Sequence, residues 1–211
     1  MLQLEQVTKQ YSTTTVLSVD TFTIQDGIVL LQGGNGSGKT TLLKMIAGLL
    51  PFEGDIILNN ASSLKKQRTA FVRCINYAET EPLYPGFLTA KELVKLFCYA
   101  KKGNITTTEF LLRQLHIYDV YKKPLSTYSS GMIKKLSLAL AFVGNPQWIL
   151  LDEPLITTDQ NAVDTICSMI HEKHHKEQVS FLITSHQSFN SSRISFTSRL
   201  LAYDHTLTVA V

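Results

Sequence analysis

The 211-residue sequence predicts an α/β fold, in which a mainly parallel sheet is covered by helices and carries an inserted helical lobe. Three observations lead there. Apolar runs of strand length alternate with segments of helical periodicity, the order that builds parallel sheets. Two of those runs, "IVLLQ" and "WILLDEP", are almost continuously apolar, as central strands buried on both faces require. Between about Glu79 and Leu140 the sequence reads mostly as helix, which marks the lobe.

The elements follow in order. "MLQLEQVTKQY" alternates apolar and polar residues and carries Glu5, so it reads as a strand over Leu2–Thr8 and not as a signal peptide. Val16–Val19 and Thr21–Ile24 read as two further short strands, and Asp26-Gly27 as a turn before "IVLLQ". A helix over Lys39–Leu49 is closed by Pro51, and "GDIILNN" resumes strand character. In the lobe, "TAKELVKLFCYAKK" and "TTEFLLRQLHIY" place apolar residues at helical spacing. The strand "WILLDEP" ends at Pro154. Asn161–His174 follows as a helix with Val163, Ile166 and Ile170 on one stripe. "SFLITSH" is a strand and "RLLAYDHTLTVAV" a hairpin. The expected organisation is one domain, residues 1–211, with the lobe at roughly 79–140.

Composition narrows the class. With 44% hydrophobic residues the chain can bury a substantial core, and a formal charge of +3 does not point to nucleic acid. Lys101-Lys102, Lys122-Lys123 and Lys134-Lys135 are scattered and read as solvated faces. Cys74, Cys98 and Cys167 are far apart, without a C-x-x-C, and fit reduced thiols in the cytosol. The longest uncharged run, Leu136 to Leu151, is short for a bilayer and is interrupted by Gly144-Asn145-Pro146. If the protein works at a membrane, another chain supplies the span.

The chemistry concentrates in "QGGNGSGKTTLLKMIAGLL", which fits G-x-x-x-x-G-K-[ST] from Gly33 to Thr40. Glycines let consecutive N–H groups turn inward around one anion, and the following helix adds unpaired N–H groups and a positive dipole end. The dipole is worth only about 0.3–1 kcal/mol at an exposed site. The loop Gly33, Gly34, Asn35, Gly36, Ser37, Gly38 and the Thr41 end must therefore act with Lys39, a point charge for the outer phosphates. Thr40 supplies a hydroxyl for Mg²⁺. In "WILLDEP" an apolar strand ends in Asp152-Glu153, and a carboxylate there is costly unless it meets a cation. Asp152 suits Mg²⁺ and Glu153 suits polarising an attacking water. These elements leave kinase, GTPase and ATPase open, although no N-K-x-D guanine motif occurs.

Upstream of Asp152, "YSSGMIKKLSLALAFVGNPQWILLDEP" resembles the signature-to-Walker-B block of ATP-binding cassette (ABC) ATPases. Ser129 and Gly131 match the second and fourth positions of the LSGGQ signature. "ITSH" resembles the switch-histidine segment, with His186 in that role, Asp159 the D-loop aspartate, and Tyr11 the aromatic that stacks on adenine. The likeness covers nearly the whole chain in the family's order. It implies a P-loop NTPase fold with a mainly parallel core sheet, an N-terminal antiparallel β subdomain and an inserted helical lobe. It implies ATP and Mg²⁺ as ligands, with Glu153, His186 and Lys39 catalytic, and Thr40 and Asp152 at the metal. The nucleotide would be held by Tyr11, the loop 33–41, Ser129 and Gly131. It further implies a head-to-tail homodimer or heterodimer, each ATP closed by the other copy's signature. The expected role is the ATP-hydrolysing subunit of an exporter-type ABC transporter, peripheral on the cytoplasmic face of the membrane, with a separate transmembrane permease chain and no nucleic acid.

The sequence also departs from that pattern. Ser130 replaces a glycine and Met132 a glutamine in the signature. "CINYAETEPLYPG" lacks the Q-loop glutamine and offers Glu79, Thr80 or Glu81 instead, and "LITTD" lacks the leucine before Asp159. These changes motivate an alternative, a degenerate cassette that regulates or scaffolds its partner with little turnover. A cassette ATPase of DNA repair or translation is a third reading, opposed by the absence of a long coiled-coil insertion or second cassette. "HEKHH" matches H-E-x-x-H at His171, Glu172 and His175, but as the polar end of a helix it reads as dipole compensation.

Overall fold

The computed structural model describes residues 1–156, 159–185 and 193–210. Strand β1 (Leu2–Tyr11) pairs antiparallel with β2 (Thr14–Ile24) on one side and with β4 (Glu53–Leu58) on the other; β4 in turn pairs with the two-residue β5 (Ser62–Ser63). β2 is one continuous strand where the sequence suggested two. Alternation in β1 buries Leu2 and Leu4, and then slips by one residue to bury Val7. A register shift between Glu5 and Thr8 accounts for the slip: Gln6 adopts a φ of 49°, the signature of a bulge. Gly54 passes so close that a Cβ there would lie 2.1 Å from the Gln6 carbonyl oxygen.

The second sheet has six strands in the order β10-β9-β3-β8-β7-β6. They are β3 (Ile28–Gln32), β6 (Ile75–Ala78), β7 (Trp148–Leu151), β8 (Ser180–Ser185), β9 (Ser198–Tyr203) and β10 (Thr206–Val209). All neighbours are parallel except β10, which folds back antiparallel on β9 as the predicted hairpin. The continuous apolar runs are explained by cover on both faces. Val29, Leu31, Leu150 and Leu182 face a core shared with the antiparallel sheet and helix α1 (Lys39–Ile46). Ile149, Leu151, Phe181 and Ile183 face the other way, into a core built with the lobe helices.

Those helices are α3 (Ala90–Lys101), α4 (Ile105–Gln114) and α5 (Ser130–Ala141), each with a side-chain N-cap: Thr89 in a reciprocal capping box with Glu92, then Asn104, then Ser129. Helix begins at Ala90 and not near Glu79, because Pro82, Pro85 and Gly86 hold the intervening stretch out of helical geometry. Three elements were not visible in the sequence, the two-residue β5, the six-residue α2 (Arg68–Arg73) and strand β6. The last helix, α6 (Gln160–Glu177), is capped by Asp159. No helix among the described residues is long and apolar enough to cross a membrane.

The sheet order decides the rest. Strands β3, β8, β7 and β6 are adjacent and parallel, so the segments leaving their carboxyl ends converge at one edge, where ligands bind in open α/β sheets. Among the described residues those segments are the glycine loop after β3, Asp152-Glu153 after β7, and Glu79–Glu81 after β6.

Candidate functional site

A cleft of about 800 Å3 opens at that edge, lined by the Asn35–Thr41 loop, Val16, Lys44, Glu79, Thr80, Glu81, Asp152, Glu153 and Ile156. The loop owes its shape to its glycines. Gly38 caps α1 with φ 92° and ψ 3°, a left-handed conformation, and a Cβ there would sit 3.1 Å from the Val16 carbonyl oxygen. The N–H groups of Gly36, Gly38, Lys39 and Thr40 find no acceptor among the described residues, and the Ser37 hydroxyl is buried without a partner. Orphan donors gathered at a helix N-terminus form an anion cradle.

Lys39 is 7% exposed, and its Nζ donates to the carbonyls of Gly33 and Gly34 at 2.7 and 2.9 Å. The side chain thus arches back over the loop. Burial pulls its pKa below the ordinary lysine value, while the negative charges of Glu153 and Asp152 oppose that shift.

Asp152, 1% exposed, is held from several sides. Thr40 Oγ1 donates to one carboxylate oxygen at 2.8 Å and Thr184 Oγ1 to the other at 2.7 Å, with the Tyr77 hydroxyl 3.5 Å away. Burial, and then the Asp152 charge, push the Tyr77 phenol far above its ordinary pKa, so it remains a neutral donor. Thr184 Oγ1 also accepts from the Glu153 N–H at 2.9 Å, and Thr80 Oγ1 donates to the Asp152 carbonyl at 3.1 Å. Replacing Thr184 by valine would keep the shape, remove a donor from the buried Asp152 carboxylate and take away the hydroxyl that accepts from the Glu153 N–H. The expected result is a loss of about 1–3 kcal/mol in urea denaturation; a change under roughly 0.5 kcal/mol would contradict this role.

The donor set fits a nucleotide with a divalent cation. The cradle and Lys39 offer positive charge to phosphates, and Thr40 and Asp152 already meet as an oxygen pair of the kind Mg²⁺ takes. At the position of the missing glutamine, Glu79 forms an ion pair with Lys44, and Glu79, Thr80 and Glu81 all line the cleft.

Other candidates fall elsewhere. Tyr11 lies at the end of β1, 48% exposed, with Lys9 Nζ 4.7 Å from its ring centroid; it does not line the cleft, whereas Val16 does. Ser129 and Gly131 are also away from this cleft, and the Ser129 hydroxyl accepts from the Met132 N–H at 3.3 Å as the cap of α5. His186 lies outside the described residues. Asp159 accepts from Ala162 N–H at 3.0 Å and pairs with Lys135 at 2.5 Å, and the Lys135 bond first, then the backbone bond, lowers its carboxyl pKa. His171 and His174 are engaged with the Arg193 and Val179 carbonyls, and no metal-binding group of histidine, cysteine and acidic residues exists among the described residues. Sequence reasoning missed Thr184, Tyr77, Val16 and Lys44. Only Thr184 left a signal, as a polar residue in the otherwise apolar "FLIT".

With this geometry in hand, the likenesses to known proteins are informative. The chain matches the family model described as "ABC transporter" over residues 17–156. It is 31% identical over 170 residues to the cytochrome c biogenesis ATP-binding export protein CcmA of Legionella pneumophila, covering 81% of this chain and 84% of that protein. A solved ATP-binding subunit of an ABC transporter superposes with a TM-score of 0.87 at 24% identity, covering 100% of this chain and 90% of that one. An ATP-binding cassette solved as a dimer in a post-hydrolysis state with ADP and Pi gives 0.81 at 20% identity, covering 98% and 96%. At such identities the two structures speak for the fold.

Proposed function

The chain belongs to the ABC transporter family as an ATP-hydrolysing, nucleotide-binding subunit, and from that premise we propose that its turnover drives export through a membrane protein encoded on a separate chain. The observation that carries the chemistry is the Thr40–Asp152 contact beside the cradle, with Glu153 on the cleft wall.

In this reading ATP lies with its phosphates on the 33–41 loop and its adenine towards Tyr11. Lys39 and the loop N–H groups bind the phosphate oxygens and fix their orientation. Mg²⁺, when bound by Thr40 and Asp152, neutralises charge on the phosphates. Glu153 accepts a proton from water as its oxygen attacks the γ-phosphorus, and His186 helps orient that water. The bond to the bridging oxygen breaks and leaves ADP and inorganic phosphate. Ser129, Gly131 and the N-terminus of α5 act on the nucleotide of a second copy, which agrees with their distance from this chain's own cleft. The export direction is supported by the export role named for the CcmA relative. The alternative of a degenerate cassette finds no support, since Lys39, Thr40, Asp152 and Glu153 are assembled around one cleft.

The test is recovery of the tagged chain from detergent-solubilised membranes of its own host. A polytopic membrane protein is expected to copurify, and ATP turnover of the complex is expected to respond to that protein's ligand. Recovery of the chain alone, with turnover indifferent to membrane components, overturns the proposal.

A further inference from the structure

Lys134 is a buried charge that the chemistry above does not use. It is 4% exposed on α5, in a stretch whose other buried residues are Leu136, Ser137, Leu138 and Ala139. Its Nζ donates to the main-chain carbonyl of Glu153 at 2.7 Å, its one acceptor among the described residues. An aliphatic side chain of the same length would fill this space without desolvating an ammonium group. Burial lowers the Lys134 pKa, and the charges of Glu153, Asp152 and Glu81 act to keep the proton on. Such a residue is costly unless that one bond matters.

The bond falls on an unusual backbone. Glu153 has a φ of 50°, in the left-handed region that a side-chain-bearing residue resists. Its peptide groups are tied on both sides: the N–H donates to Thr184, and the carbonyl accepts from Lys134 at 2.7 Å and, at a longer 3.3 Å, from the Ile156 N–H. The neighbouring Lys135 holds the Asp159 carboxylate. Helix α5 therefore grips the chain just after β7 and again at the cap of α6.

We propose that Lys134 is a positioning residue for ATP hydrolysis: it pins Glu153 in its left-handed conformation so that the carboxylate faces the cleft. The same bond makes the pose of Glu153 depend on the position of α5, whose first turn carries Ser129 and Gly131. A second copy engaging that turn thereby acts on this chain's own carboxylate. The inference rests on the reading of Glu153 as the proton acceptor.

The test uses the full chain with Lys134→Met, Lys134→Gln, Glu153→Gln and the double variant Lys134→Met/Glu153→Gln. Lys134→Met is expected to lower kcat by roughly 10- to 100-fold with KM and Kd for MgATP within about twofold, since misplacement by an ångström costs rate more than binding. Lys134→Gln keeps an N–H donor and is expected to recover part of the loss. In the Glu153→Gln background Lys134→Met is expected to add nothing, because a residue that acts through Glu153 has no effect once Glu153 is disabled. Should Lys134→Met fail to unfold cooperatively, the split between kcat and KM is read from Lys134→Gln, which must then lie below the natural chain. Turnover within twofold in the single variants, or a further drop in the double variant, overturns the proposal. If Glu153→Gln itself retains full turnover, the reading of Glu153 fails first. A large drop there with Lys134→Met unaffected removes only the role of Lys134.

Discussion

Glu153→Gln is expected to lower steady-state ATP turnover by about 10²–10⁴-fold while leaving MgATP binding intact, the range for losing a positioned general base. The substitution is nearly isosteric, so the backbone ties to Thr184 Oγ1 and Lys134 Nζ survive. What changes is basicity, because an amide cannot take the proton of the attacking water. In the proposed site nucleotide affinity is set elsewhere, by the loop N–H groups, Lys39 and the Thr40–Asp152 pair, which meet beside the same cleft. Removing one negative charge from the cleft wall is expected, if anything, to favour a polyanion. Trapped in the ATP state, two copies are expected to remain associated, visible in light scattering as an ATP-dependent doubling of mass. Unchanged turnover in the variant refutes the assignment of Glu153. Loss of binding together with turnover would instead assign the carboxylate to holding the nucleotide.

How much of this was legible in the sequence depended on the range of the interaction. The phosphate loop could be read because its demands are local: glycines for left-handed backbone, a lysine, and a helix directly behind. Strands β3 and β7 could be read because burial on both faces removes polar residues from consecutive positions. Strand β6 could not. It has four residues, and its polar Asn76 is buried only because its amide donates to the Ala141 and Val143 carbonyls, 65 and 67 residues away. The partners of Asp152 were hidden for the same reason. Tyr77 and Thr184 lie 75 and 32 residues from it in sequence and reach it only because β6, β7 and β8 are neighbours. Lys134 read as half of a solvated lysine pair, since nothing local says which of two adjacent helix positions points inward; 19 residues separate it from the carbonyl it binds. The one-residue slip in β1 was likewise invisible until its bulge was placed against Gly54.

Lys39→Ala is expected to be as severe as Glu153→Gln in turnover but different in kind, because it removes binding. Hydrogen bonds to a charged group are worth about 1.5–3 kcal/mol each. At about 1.4 kcal/mol per tenfold, losing one such contact to the phosphates weakens MgATP by roughly 10- to 150-fold. The effect extends beyond the missing charge. In the natural chain the ammonium bridges the Gly33 and Gly34 carbonyls, so its removal also frees the loop that presents the N–H groups. Arginine is not expected to rescue. Its planar fork is wider than an ammonium, and Lys39 is only 7% exposed where it lies against the loop. Calorimetric titration with MgATP checks the affinity. Thermal denaturation checks it independently, since a ligand that binds only the folded state raises the melting temperature by an amount that grows with the logarithm of its affinity. At an MgATP concentration about 100 times the natural chain's Kd, the variant is expected to lose about half or more of the upward shift that the natural chain shows. An undiminished shift, with affinity within twofold of the natural chain, would mean that the cradle holds its anion without Lys39 and would move the nucleotide's charge contacts to other residues.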